Sequence, residues 1–240
     1  MRVKAVITYD GSTFLGFQKQ KSTQNTIQHV IEDALHSVHI DSAIVASGRT
    51  DAGVHASGQV IHFDLPDFWT DLDKLKLTLN QKLKQVRFKH ISQVPNDFHA
   101  RFSAKKRLYR YVFKTEEVSL FEQKYISQYK PFNTTLLKQA LHTFEGEHDF
   151  DFFRKTGTIT YTSKREIYKA QYKQRGKYHF IYFQANGFLR SQVRMMVDAS
   201  MRYAQGKLSL EALLEQVNVQ EKHTTKLAPP EGLYLARINY

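Results

Sequence analysis

The sequence contains no cysteine, which excludes disulfides, thiolate nucleophiles and cysteine-ligated metal sites. That usage fits a reducing compartment, so a cytoplasmic location is expected. Long apolar runs are missing as well. No stretch approaches the ~20 residues that a bilayer-spanning helix needs. The opening Met1-Arg2-Val3-Lys4 passes directly into an alternating pattern rather than the apolar core of a secretory signal. Among 240 residues there is one Trp and five Pro, and no Gly/Ser-rich or Pro-rich linker interrupts the chain. Acid is in short supply: 23 Asp and Glu face 35 Lys and Arg, a formal net charge of +12. A surplus of that size repels itself in a folded chain and points to a polyanionic partner. Nucleic acid comes first, because each phosphate met by a cation releases counterions.

What is abundant agrees with this. Hydrophobic residues make up 41%, enough for a sizeable core and too many for a disordered chain. Aromatics reach 13%, with 17 Phe and 13 Tyr. Aromatic faces stack on unpaired bases, so a basic and aromatic chain leans towards looped or single-stranded RNA, although a Phe-rich core has the same composition.

Periodicity gives the organisation. Val3, Ala5, Ile7 and Tyr9 alternate as a strand. Ile27, Val30, Ile31, Ala34, Leu35 and Val38 recur at helical spacing, with Asn25 as the expected cap. Residues 44–46 and 60–63 read as strands, Leu72, Leu75, Leu79 and Leu83 as a second helix, and 86–91 as a fourth strand. The order β-α-β-β-α-β is that of ferredoxin-like folds. The second half repeats the order: a strand over 107–114, a helix from Leu136 to Phe144, strands from Ile159 to Tyr172 and Tyr178 to Gln184, a helix from Val193 to Ala204, a short helix from Ser209, and a last strand over 233–238. The expected architecture is α+β: two ferredoxin-like halves, 1–104 and 105–240, their antiparallel sheets side by side around a central cleft. The boundary coincides with the cations Arg101, Lys105, Lys106 and Arg107.

Chemistry concentrates in Ser47-Gly48-Arg49-Thr50-Asp51-Ala52-Gly53-Val54-His55-Ala56, between two expected strands. Glycines permit a tight bend that presents one side chain, and Ala52 and Ala56 leave room beside it. Asp51 is the loop's only acid. A cation two residues away, Arg49, favours the ionised form of a carboxylate, which can act as nucleophile or base. The same residues also make an ordinary turn in which Asp51 caps the backbone and pairs with Arg49.

Residues 48–56 closely resemble the signature loop of the TruA family of tRNA pseudouridine synthases. Five further segments resemble that family in the same order: Tyr9-Asp10-Gly11 with Phe14, Gly16 and Gln18; residues 98–104 with Arg107, Tyr109 and Tyr111; Gly146, His148-Asp149-Phe150 and Phe153; residues 186–190 with Val193-Arg194; and residues 228–235. The resemblance implies that Asp51 is the catalytic nucleophile. Uracil is detached from its sugar, turned, and rejoined through carbon, either after carboxylate addition at C6 or through a glycal-like intermediate. Both routes need the nucleotide out of its stack. It further implies that Tyr109 lies against the target base and that Arg194, or Arg190 one helical turn earlier, pairs with the carboxylate. Arg49 is then left for the flipped nucleotide. Arg107 and Arg110, with Lys105, Lys106, Arg154 and Lys155, are candidates for the phosphate backbone. The implied substrate is the anticodon stem-loop of tRNA at positions 38 to 40, held by a homodimer, with no cofactor, metal or membrane involved.

Two departures from the family stand out, Phe17 where tryptophan is frequent and Asp198 where glycine is. Eleven His without a His-Glu-x-x-His pattern give no metal motif. His36 and His39 are expected on one helix. His55 suits a packed loop position at least as well as an RNA contact. The residues 11–16 carry glycines but no phosphate-loop lysine. Two rival readings exist. A non-catalytic RNA-binding module of the same fold has no need of Asp51, Tyr109 and Arg194 together. A small-molecule hydrolase using an Asp nucleophile needs a second acid or base for water, and has no use for the charge.

Overall fold

Val3, Ala5, Ile7 and Tyr9 are all buried while their neighbours are partly solvated, the period-2 signature of a strand with one face in a core. The computed structural model describes residues 1–157 and 160–240. By its contacts the chain forms two units, Met1–Lys105 with Tyr234–Tyr240, and Lys106–Leu233. The chain is mixed α+β, with five α-helices among the described residues.

In the first unit, β1 (Arg2–Tyr9) runs antiparallel to β3 (His55–Asp64) on one side and to β4 (Val86–Gln93) on the other. The two-residue β2 (Val45–Ala46) pairs antiparallel with β3. The order β4-β1-β3-β2 is that of a ferredoxin-like sheet. β10 (Leu233–Asn239) adds to β3 in parallel, Tyr234 opposite His55 and Leu235 opposite Ala56.

Helix α1 (Ile27–His36) buries Ile27, Ile31, Ala34 and Leu35, one stripe at helical spacing. Its N-cap is Thr26, whose hydroxyl accepts from His29 N, and not the expected Asn25. Asn25 instead donates from Nδ2 to Thr13 O at 2.7 Å. The helix ends at His36, so His36 and His39 do not share it; His39 lies beyond in a left-handed conformation, φ 60°. Helix α2 (Leu72–Lys82) is capped by Asp71 and buries Leu75 and Leu79.

The second unit is built on β5 (Lys106–Lys114), β9 (Tyr178–Ala185), β8 (Lys164–Arg175) and β7 (Gly146–Asp149), each antiparallel to the next. The strand expected from Ile159 begins at Lys164; Ile159 itself lies outside the described residues. A short strand that periodicity did not signal, β6 (Ser127–Gln128), runs parallel to β5. Helix α3 (Thr134–His142), capped by Asn133, packs on β8 and on α4 (Gln192–Ala204). Phe144, Phe150, Phe153 and Phe183 are fully buried and meet largely edge to face. Much of the Phe content is therefore core. Asp198 on α4 finds polar partners where glycine is usual: its Oδ2 accepts from Arg202 Nε at 2.7 Å and from Thr224 at 3.2 Å. Helix α5 (Leu210–Val217) starts at its N-cap Ser209.

Candidate active site

The loop between β2 and β3 is shaped by its neighbours along the chain. Tyr9, at the end of β1, places its hydroxyl 2.8 Å from Thr50 Oγ1 in the interior. Phe17 N donates to Thr50 O at 3.1 Å, and Gly53 N to Phe14 O at 3.3 Å. Gln59 on β3, wholly buried, donates from Nε2 to Gly48 O at 2.7 Å. Residues 9–18 and 48–56 resembled one family separately; in the folded chain the first segment is the scaffold of the second. Phe17 is buried, 2% exposed, with its ring 6.0 Å from that of Tyr9.

The bend itself falls on Asp51. Val54 N closes onto Asp51 O at 3.2 Å, and Gly53, third in that turn, has φ 76°, where a type II turn takes glycine. Gly11 is needed for another reason. A Cβ there would sit 2.0 Å from Val54 O, so only glycine allows the two segments to touch. Asp51 is half-buried and Arg49 exposed. Arg49 directs Nη1 to Gln18 Oε1 at 2.7 Å.

His55 is 1% exposed. Its Nδ1 accepts from Gly11 N at 3.1 Å, which places the ring proton on Nε2 and makes Asp10, 3.4 Å away, a neighbour rather than an acceptor. The ring stacks on Tyr234 at 4.8 Å. His55 is thus the packed loop histidine, supporting the bend from below. Gln59 is the residue that sequence patterning missed. Its only signal was one amide among the apolar positions of β3.

The other candidates lie in the second unit. Tyr109 is 8% exposed on β5 and meets Phe188 edge to face at 5.1 Å. Arg107, on the same face of β5, donates from Nη1 to Asn186 O at 2.7 Å. Strand alternation puts Arg110 on the opposite face, with Tyr182 as its partner on β9. Arg194, half-buried, stands in the first turn of α4, and its Nε donates to Ala228 O at 2.7 Å. Arg190 is exposed and precedes the helix, because Ser191 breaks it with φ 59°. It is not one helical turn before Arg194 on a shared face, as the spacing suggested. Arg154, a backbone candidate, is engaged by Asp151 at 2.6 Å.

No helix among the described residues is long and apolar enough to cross a membrane. One group among them has metal-ligand types in reach, Glu215, Glu221 and His223, but His223 Nε2 already meets Glu215 at 2.6 Å on the surface.

The loop is thus buttressed by residues 9–18, turned at a glycine, and carries one carboxylate in a basic chain. Comparison with known proteins makes the assignment. The family model for tRNA pseudouridine synthase matches residues 5–103 and 140–240. The tRNA pseudouridine synthase A of Helicobacter hepaticus is 40% identical over 245 residues, covering 99% of this chain and 98% of that protein. That of Campylobacter jejuni strain 81116 is 36% identical over the whole of both chains, and that of a Geobacillus strain 37% identical over 100% and 98%. Among solved structures, an archaeal box H/ACA sRNP Nop10-Cbf5 complex superposes with a TM-score of 0.36 at 10% identity, over 83% of this chain and 43% of that one, too loosely to bear on the reading. The chain belongs to the tRNA pseudouridine synthases, isomerases of RNA. Within them it is of the TruA type, like these relatives.

Proposed function

We propose that the chain converts uridine to pseudouridine at positions 38 to 40 of the tRNA anticodon stem-loop, with Asp51 as nucleophile. The observation that carries this is the bend at Asp51–Val54. A whole N-terminal segment is spent on holding it, and it offers a half-buried carboxylate. Asp51 attacks the extruded nucleoside, Tyr109 lies against the base, and Arg194 orients and balances the carboxylate through a guanidinium. Arg49, Arg107, Arg110 and Arg190 contact the RNA. The active form is a cytoplasmic homodimer with tRNA lying across both subunits, and the reaction uses no cofactor. These roles rest on matching positions in the family's motifs.

Tritium release from uridine-C5-labelled tRNA tests the reading. The wild-type protein is expected to release tritium, and Asp51→Asn to lose at least about a thousandfold in rate while still binding tRNA. Equal release by both proteins removes Asp51 as nucleophile.

A further inference from the structure

Residues 228–232 lie against Arg194 at one end and against a buried polar cluster at the other. Arg194 and Ala228 are tied twice: Arg194 Nε donates to Ala228 O at 2.7 Å, and Ala228 N donates to Arg194 O at 3.1 Å. Pro229 and Pro230 follow. Both have a fixed φ and no N–H, so the link from Ala228 to Glu231 is stiff. Glu231 then accepts from Ser127 Oγ at 3.0 Å. Ser127 is wholly buried on β6, within 2.8 Å of the Tyr111 hydroxyl, which also reaches Pro229 O at 3.0 Å. Tyr129 closes the cluster with its hydroxyl 3.4 Å from that of Tyr111. The fit is tight around Gly232, where a Cβ would fall 2.6 Å from both Ser127 Oγ and Val112 O.

This cluster is not needed to fill the core. A buried serine and tyrosine, with a half-buried tyrosine and carboxylate, cost desolvation that apolar residues of the same volume would not. Burial pushes the Tyr111 phenol well above its ordinary range, and the Tyr129 phenol upward too, so both remain neutral donors and acceptors. Glu231 is thus the cluster's one carboxylate, held by the Ser127 hydroxyl. A satisfied polar network of this kind fixes one geometry rather than adding stability.

We infer that Glu231, held by Ser127, which Tyr111 braces in turn, is a positioning residue: through the Pro229-Pro230 strut it sets where Ala228 holds the Arg194 guanidinium. The inference rests on the proposed role of Arg194. A guanidinium displaced by about 1 Å orients a carboxylate poorly, which lowers turnover without weakening tRNA binding.

The test is a double-mutant cycle on the full chain, read by single-turnover tritium release and by tRNA binding on filters. Glu231→Gln, of the same size, is expected to slow release about tenfold, with Kd unchanged within about twofold. Ser127→Ala is expected to do the same, and Glu231→Asp to recover part of the loss. In an Arg194→Ala background, Glu231→Gln should add nothing, because the group it positions is gone. An unaltered rate in Glu231→Gln, a weaker Kd in place of a slower rate, or a full tenfold further loss in the Arg194→Ala background overturns the inference alone. Arg194→Ala with normal turnover overturns the proposed role of Arg194, and the inference with it. A melt of each variant identifies any that fails to fold. If Ser127→Ala does, the Glu231→Gln arm decides.

Discussion

Residue 11 leaves no room for a side chain, since Val54 O stands where its Cβ would go. Gly11→Ala must push the two segments apart. It is expected to destabilise the fold by about 2 kcal/mol in a urea titration and to slow turnover, because the displaced turn carries Asp51. A second prediction concerns His62, buried on β3, whose Nδ1 accepts from Ala100 N at 3.1 Å. Burial holds its pKa below the ordinary value, and Arg2 and His99 push the same way, with Asp64 opposing. The folded state then binds fewer protons than the unfolded one. Its stability contribution is present at neutral pH and is lost as pH falls from about 6.5 towards the depressed folded value. The thermal midpoint is expected to drop between pH 7 and 5, and to drop less in His62→Asn, which keeps the acceptor without the titration. At this scale the sequence carried a good deal. Asp51 stood out as the sole acid of a glycine-rich loop. Gln59, Glu231 and the cap at Thr26 did not, because each is defined by a partner distant in sequence or by a choice between two adjacent cap formers.

Among the elements, strong periodicity marked α1, α2, α4 and most strands within a few residues. β6 and β7 escaped because two residues cannot alternate and Gly146-Glu147-His148-Asp149 is too polar to read as a strand. The segment before β6 is anchored by one side chain. Glu122 accepts from Tyr178 Oη at 2.6 Å, from Lys114 Nζ at 3.0 Å and from Ser119 Oγ at 2.8 Å, and these bonds, the Tyr178 bond first, hold its pKa down to about 2. The carboxylate is therefore charged throughout the pH range in which the protein is handled. Glu122→Gln is expected to speed amide exchange of residues 119–126 about tenfold, with exchange in β5 and β9 unchanged. Equal speeding across β5 would mean that the bonds hold the sheet and not the loop.

Taken whole, the molecule is a polycation of formal charge +12 whose substrate class is a polyanion. The logarithm of the tRNA Kd is expected to rise linearly with the logarithm of salt concentration. The slope should be the same for the wild-type protein and Asp51→Asn, since counterion release counts phosphate contacts and not chemistry. A shallower slope in the variant would place Asp51 in the binding step. Fold order was legible at this scale because two rounds of the same element pattern are visible in the sequence. The membership of the final strand was not, because its pairing with β3 joins residues almost 180 positions apart.

That late pairing governs synthesis as well as architecture. Translation makes residues 1–105 first, yet the strip that lies beside His55, and the Tyr234 ring under it, emerge only after all of 106–233. A chain cut before residue 234 would keep the bend at Asp51–Val54 and its supports from residues 9–18 and Gln59, and would lose the ring that stacks on His55. The stacking of Tyr234 on His55 therefore forms only after the residues of the second unit have been made.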